Sequence, residues 1–220
     1  MLKKLLASIG GTAAATASAE SPGSSAGAAL PRQIAGSMFA VPTYIVLDIP
    51  APVAAEVIAL RTRYDENMAR LPAEITIVGS SGVGTVASHQ DPEALFQAIQ
   101  RVGQRHLPFI SAFVSMERFP GVQVFWLKPR DRAPFDELQR GLIAEGLAFN
   151  PDPFKFTPHC TVSATVQLSP QQETELLATN VPMNEFTLSR LSVYQLFEGR
   201  ASLLKSFTFA ANLDNLTSTE

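Results

Sequence analysis

Two short segments of this chain, 85 residues apart, each set a titratable side chain one strand step from a hydroxyl. In Leu71-Pro72-Ala73-Glu74-Ile75-Thr76-Ile77 the pair is Glu74 and Thr76; in Phe156-Thr157-Pro158-His159-Cys160-Thr161-Val162 it is His159 and Thr161. Residues two apart on a strand point to the same face. Each segment therefore presents an acid/base group beside a hydroxyl donor. If the two strands face one another, the hydroxyls hold a phosphate while one titratable group takes a proton from the nucleophile and the other gives one to the leaving oxygen. Glu74 and His159 are the catalytic candidates, and Thr76 and Thr161 the substrate-binding ones.

Composition narrows the chemistry. Seventeen Lys+Arg against 20 Asp+Glu leave a formal charge of −3, so no global basic field holds duplex nucleic acid by its phosphates. The expected partner is a small phosphate-containing ligand, a cyclic nucleotide or an RNA end. The single Cys160 rules out an internal disulfide and fits a reducing, cytoplasmic setting. His89, His106 and His159 are the whole imidazole supply and show no metal-ligand spacing, so neither a metal nor another cofactor is expected. His89 reads as part of the polar approach to a helix, and His106 as part of a turn. The loop from Gly79 to Gly84 lacks the Lys and Ser/Thr of a nucleotide P-loop and reads as a turn that skirts the ligand. Apolar runs are broken by Pro, Gly or charge within about ten positions, too short to span a membrane, and a monomer is expected.

The elements that position the two segments follow from periodicity. Tyr44 to Leu47 is a β-branched strand closed by Pro50, and Val53, Val57, Leu60, Tyr64 and Met68 mark one helical face. Ile75 to Val78 is a second strand. Asp91 caps a helix with Pro92 at its first position, and Leu95, Ile99 and Val102 share its face. Phe109 to Val114 and Val122 to Leu127 read as a strand pair around Phe119-Pro120-Gly121. The order then repeats: a helix with Phe135, Leu138 and Leu142 on one face, the strand Cys160 to Ser163, a capping box opening at Ser169-Pro170-Gln171-Gln172, then strands Phe186 to Leu188, Leu191 to Phe197 and Leu203 to Phe209. The predicted fold class is α+β, a duplicated two-lobed strand–helix–strand unit whose antiparallel sheets face a central cleft. The lobes are placed at about 38–121 and 122–213, with 214–220 a tail. Of the first 37 residues, 23 are Ala, Gly, Ser or Thr, and such small side chains bury too little surface to offset ordering. Residues 1–37 are expected to be a disordered extension; Lys3-Lys4 before an apolar run, with Ala17-Ser18-Ala19, loosely imitates a secretory signal, and Met38 is an alternative start.

The second segment resembles the H-x-T-x motif of the two-histidine (2H) phosphoesterases, the 2′–5′ RNA ligase-like or cyclic phosphodiesterase family. Its context agrees: the Arg-bearing first helix (Arg61, Arg63), Gly79-Ser80-Ser81-Gly82 after the first motif, Phe119-Pro120-Gly121 before the central strand, and a closing hairpin around Glu198-Gly199-Arg200. The resemblance covers roughly Met38 to Leu213. It implies two such motifs lining a cleft between duplicated lobes and metal-independent hydrolase chemistry on cyclic phosphate or 2′–5′ phosphodiester bonds of nucleotides or RNA ends. It carries over His159 as one catalytic imidazole and Thr76 and Thr161 as phosphate-binding hydroxyls.

Glu74 departs from that pattern, standing where the family has histidine. At about 4 Å and an effective dielectric of 20, an imidazolium attracts a phosphate oxygen by about 4 kcal/mol and a carboxylate repels it by a similar amount. Three readings stand: Glu74 shares the acid and base roles with His159, the site binds nucleotide or RNA-end phosphate without turnover, or a Glu74–His159 pair holds a cation. Phe125, Trp126, Phe154, Phe156, Tyr194 and Phe197 are available to stack a base, and Lys128, Lys155, Arg118 and Arg200 to form a positive rim.

Overall fold

The computed structural model describes residues 37–182 and 184–211. The expected extension at 1–37 lies outside them except for Ser37, as does the tail. Three antiparallel sheets form the framework: strands β1 (Thr43–Asp48), β2 (Glu74–Val78), β8 (Arg190–Phe197) and β9 (Arg200–Thr208) in the order β2-β1-β8-β9; β4 (Phe113–Arg118), β5 (Phe125–Pro129) and β6 (Cys160–Ser163) in the order β4-β5-β6; and the two short strands β3 (Phe109–Ser111) and β7 (Phe186–Leu188). Five helices join them: α1 (Val53–Tyr64), α2 (Glu66–Ala69), α3 (Pro92–Gln104), α4 (Ala133–Ala144) and α5 (Pro170–Leu177).

The strand–helix order of the first half recurs in the second, and strands from the two halves interleave in the sheets. The expected lobes at 38–121 and 122–213 give the order of the repeat and not the sorting of its strands. In the first half β1 pairs with β2, and the neighbour on its other side is β8 from the second half; in the second half β5 pairs with β6, and its other neighbour is β4 from the first. The helices cross in the same way: α1 packs on β6 and α4 on β2, while α3 meets β8 and α5 meets β4. β3 and β7, equivalent in the repeat, pair with each other. One continuous apolar core results, with Ile45, Leu47, Ile75, Ile77, Phe125, Leu127, Phe135 and Leu138 fully buried. Neither half buries its strands without the other.

Two local readings are corrected. The stretch Phe109 to Val114 is two strands serving different sheets, divided at Ala112, and only the second pairs with β5. The helical face from Val53 to Met68 is broken at Asp65, whose extended backbone (φ −158°, ψ 88°) ends α1. The Asp65 carboxylate accepts from the Met68 N–H at the start of α2 and, across the molecule, from the N–H groups of Ala164 (2.9 Å) and Thr165 (2.7 Å). A buried carboxylate binding three backbone donors outweighs one more helical turn. Caps written locally form as read: Asp91 accepts from Ala94 N, and Ser169 with Gln172 makes a reciprocal capping box. In the β8–β9 hairpin Glu198 (φ 48°) and Gly199 (φ 72°) are both left-handed, the two-residue turn whose twist matches its strands.

Candidate active site

Glu74 opens β2 opposite Asp48, and Thr76 lies opposite Val46; on the other sheet Thr161 lies opposite Trp126. All four candidates, Glu74, Thr76, His159 and Thr161, line one cleft of about 410 Å³ between the sheets. Its walls are mainly apolar, with Val46, Leu71, Phe119, Val124 and Leu196 among them. The loop after β2 reaches the same space through Gly79, Ser80 and Ser81, stitched to the approach to β6 by the Gly82 N–H on Phe154 O (2.7 Å) and by Thr157 N–H on Ser81 Oγ (3.1 Å). Gly79 (φ 129°) admits no side chain, because a Cβ there would fall 2.2 Å from the Tyr44 ring.

His159 is nearly buried. Its Nδ1 lies 2.6 Å from Thr157 O, and since a carbonyl only accepts, Nδ1 carries the proton and Nε2 is left as the basic atom of the neutral ring. Phe119 and Trp126 meet the imidazole edge-on at 5.1 and 5.7 Å. Burial holds its pKa below the ordinary value, against the opposing pull of the Thr157 carbonyl.

Glu74 is pushed the other way, up to about 7. Burial is the main cause and Asp48 adds to it, while the Arg61 guanidinium and the Thr76 hydroxyl oppose it. That hydroxyl donates to both carboxylate oxygens, at 2.9 and 3.2 Å, so Thr76 is engaged by Glu74, whereas Thr161 Oγ1 bonds no protein group among the described residues. The raised value is also a statement about stability. Glu74 holds its proton more tightly folded than unfolded, so its contribution is fully present below the unfolded carboxyl value near 4.5 and is lost as pH rises through about 7. Glu74→Gln, which keeps an acceptor for Thr76 without the charge, is expected to match the native chain at pH 4.5 and exceed it at pH 8 by on the order of 2 kcal/mol, a figure reduced because the side chain lies on the cleft wall and keeps some contact with solvent. Urea unfolding at the two pH values measures it.

Several contributors have no side-chain role in the reading of the sequence. Arg61, 1% exposed, sits beneath the cleft with no carboxylate partner among the described residues. Its guanidinium donates to the carbonyls of Met68, Leu71 and Pro72 at 2.9 to 3.2 Å and to Thr161 O at 2.9 Å. It ties the run into Glu74 to the strand after His159. The available signal was its position eight residues after Val53 and four after Val57, on the buried face of α1. Tyr44 lines the cleft with its phenol pushed up to about 12 by burial and then by Glu74, so it stays a donor. Ser80, in the loop from Gly79 to Gly84 that the sequence reads as skirting the ligand, lines the cleft, and its buried Oγ has no protein partner among the described residues.

Of the aromatic candidates, Phe154 and Tyr194 line the cleft; Tyr194 donates to Asp48 Oδ1 (3.0 Å). Phe125 is core, Trp126 backs His159, Phe156 packs on the core, and Phe197 is exposed outside the cleft. Of the basic candidates, Lys155 lines the cleft, Lys128 and Arg118 are paired with Glu117 and Glu173, and Arg200 stands beside the cleft. Cys160 is fully buried, its thiol pushed up to about 11 mainly by burial. No group of three or more His, Cys, Asp or Glu side chains suited to a metal occurs among the described residues, nor is any described helix long and apolar enough to cross a membrane.

With this geometry established, similarity to known proteins is informative. The family model of the 2′-5′ RNA ligase superfamily matches residues 49–200, and the chain belongs to that family. The fold is similar to Escherichia coli LigT complexed with 3′-AMP (TM-score 0.54, 18% identity, 78% of this chain and 99% of that one). It is also similar to a Thermus thermophilus protein (TM-score 0.53, 15% identity, 78% and 99%) and to a structure described as a phosphoesterase (TM-score 0.53, 17% identity, 78% and 99%). LigT has also been crystallised with phosphate, ATP and NADP+. No curated protein sequence matches the chain significantly.

Proposed function

We propose that the chain is a phosphodiesterase that opens 2′,3′-cyclic phosphates of nucleotides or RNA ends by metal-independent acid–base chemistry, with His159 as base and Glu74 as acid. What supports this is the placing in one cleft of an imidazole whose Nδ1 is tied to Thr157 O, leaving Nε2 free, and of a carboxyl that burial pushes toward its protonated form. Two groups whose surroundings favour the uncharged form of each, an imidazole ready to accept a proton and a carboxyl ready to give one, suit concerted proton transfer. In the proposed step Nε2 of His159 takes a proton from water, the water oxygen bonds to phosphorus, one bridging P–O bond breaks, and the Glu74 carboxyl gives its proton to the departing ribose oxygen. Glu74 ends as carboxylate and His159 as imidazolium, and exchange with solvent restores both. A bound phosphate anion favours the acid form further, since a like charge opposes ionisation of Glu74. The Thr161 hydroxyl and the Tyr44 phenol are the donors for the phosphate oxygens. LigT's ligands, 3′-AMP and phosphate among them, support a phosphate-sized occupant.

A non-catalytic binding role has one observation in its favour: the Thr76 hydroxyl is already engaged by Glu74. The readings separate in one assay. Native protein in excess chelator is expected to turn over a 2′,3′-cyclic nucleotide, and Glu74→His, which restores the family residue, to do so faster. A pure binder shows ligand-dependent thermal stabilisation without product.

A further inference from the structure

Beside the main cleft lies a second, polar pocket of about 340 Å³, lined by Asn67, Arg70, Glu198, Gly199 and Arg200. It is built where two chain segments leave the cleft. Arg70 closes α2 one residue before Leu71, and Arg200 leaves the hairpin one residue before Ala201; Leu71 and Ala201 both line the main cleft.

The two arginines are unlike most cations of this acidic protein. Arg101, Arg118, Arg130, Arg132 and Arg190 each sit on a carboxylate at 2.6 to 3.0 Å. The guanidinium groups of Arg70 and Arg200 make no ion pair or hydrogen bond among the described residues, although both are exposed and Glu198 shares their pocket. Lys155, on the wall of the main cleft, is likewise without a carboxylate. Two forked donors held on separate segments around an opening match the oxygens of a phosphate.

We infer that this pocket receives a second phosphate of the substrate, carried either by the next nucleotide of a strand or by the 5′-oxygen of the same nucleoside. The inference rests on the phosphodiesterase reading of the main cleft and gives its substrate class: ligands bearing a phosphate beyond the reacting one. Glu198 opposes the same anion and sets an upper limit on the gain.

The test is equilibrium binding of three probes, adenosine 2′,3′-cyclic phosphate, its 5′-phosphorylated form, and a diadenylate ending in a 2′,3′-cyclic phosphate. At least one probe with a second phosphate is expected to bind about tenfold tighter than the simple cyclic nucleotide at low salt, and the advantage to shrink as salt rises. Which one gains identifies the source of the phosphate. In Arg70→Ala/Arg200→Ala the affinity ratio is expected to fall to about one, and Glu198→Gln to raise it, a gain that no folding defect produces. Equal binding of all three probes, or a ratio that survives the double substitution, overturns the inference and leaves the main cleft's reading intact. Failure of every probe to bind overturns that reading and this one with it.

Discussion

Replacing His159 by alanine is expected to lower cyclic-phosphate hydrolysis by about a thousandfold, the middle of the range for removing a positioned general base. The size of the effect follows from how the ring is held. The 2.6 Å contact of Nδ1 with Thr157 O fixes the tautomer, and Phe119 and Trp126 fix the ring plane, so the basic atom needs no reorganisation at the moment of reaction. No other imidazole substitutes, since His89 and His106 lie outside the cleft. The loss is expected in kcat more than in KM, with cyclic nucleotide still raising the melting temperature of the variant through the remaining hydroxyl donors. A variant retaining a tenth of the native rate would show that the base lies elsewhere.

The largest expected effect on stability is at Arg61. Arg61→Met keeps most of the side-chain volume but removes the guanidinium donors from the carbonyls of Met68, Leu71, Pro72 and Thr161, of which Met68 O keeps a turn bond from the Leu71 N–H. An unsatisfied buried carbonyl costs about 1–3 kcal/mol. Water entering from the cleft recovers part of that, leaving a loss of about 3–5 kcal/mol, read by urea or thermal unfolding. Arg61→Lys restores charge but not the fork, and is expected to recover less than half. Because Arg61 also lowers the pKa of Glu74, Arg61→Met moves the alkaline limit of activity upward. A loss under about 1 kcal/mol in Arg61→Met would mean that the carbonyls are solvated without it.

The parts of this fold legible in the sequence are those written in neighbouring residues. The Asp91-Pro92 start and the Ser169/Gln172 box specify helix ends locally, and strand alternation alone puts Glu74 with Thr76 and His159 with Thr161 on common faces. The 85-residue repeat then brings those faces to one cleft. What escaped is carried by distant partners. Ala112 separates two strands because β3 and β4 pair with different sheets, a choice made by residues 125–129 and 186–188. Asp65 breaks a helix because its acceptors serve Ala164 and Thr165, about a hundred positions on. The proton affinity of Glu74 is set by burial that no local pattern encodes.

The central claim is that Glu74 supplies the proton that His159's imidazole cannot. It is tested most directly by the pH dependence of cyclic-nucleotide hydrolysis, with metal chelated, for the native chain and Glu74→Gln. For the native chain kcat/KM is expected to rise through the depressed value of His159, below 6.5, and to fall above about 7 as Glu74 ionises. In Glu74→Gln the alkaline fall is expected to vanish, with a maximum at least a hundredfold lower, on the order expected for loss of a positioned general acid. An unchanged alkaline limb and a near-native rate in Glu74→Gln would contradict the claim.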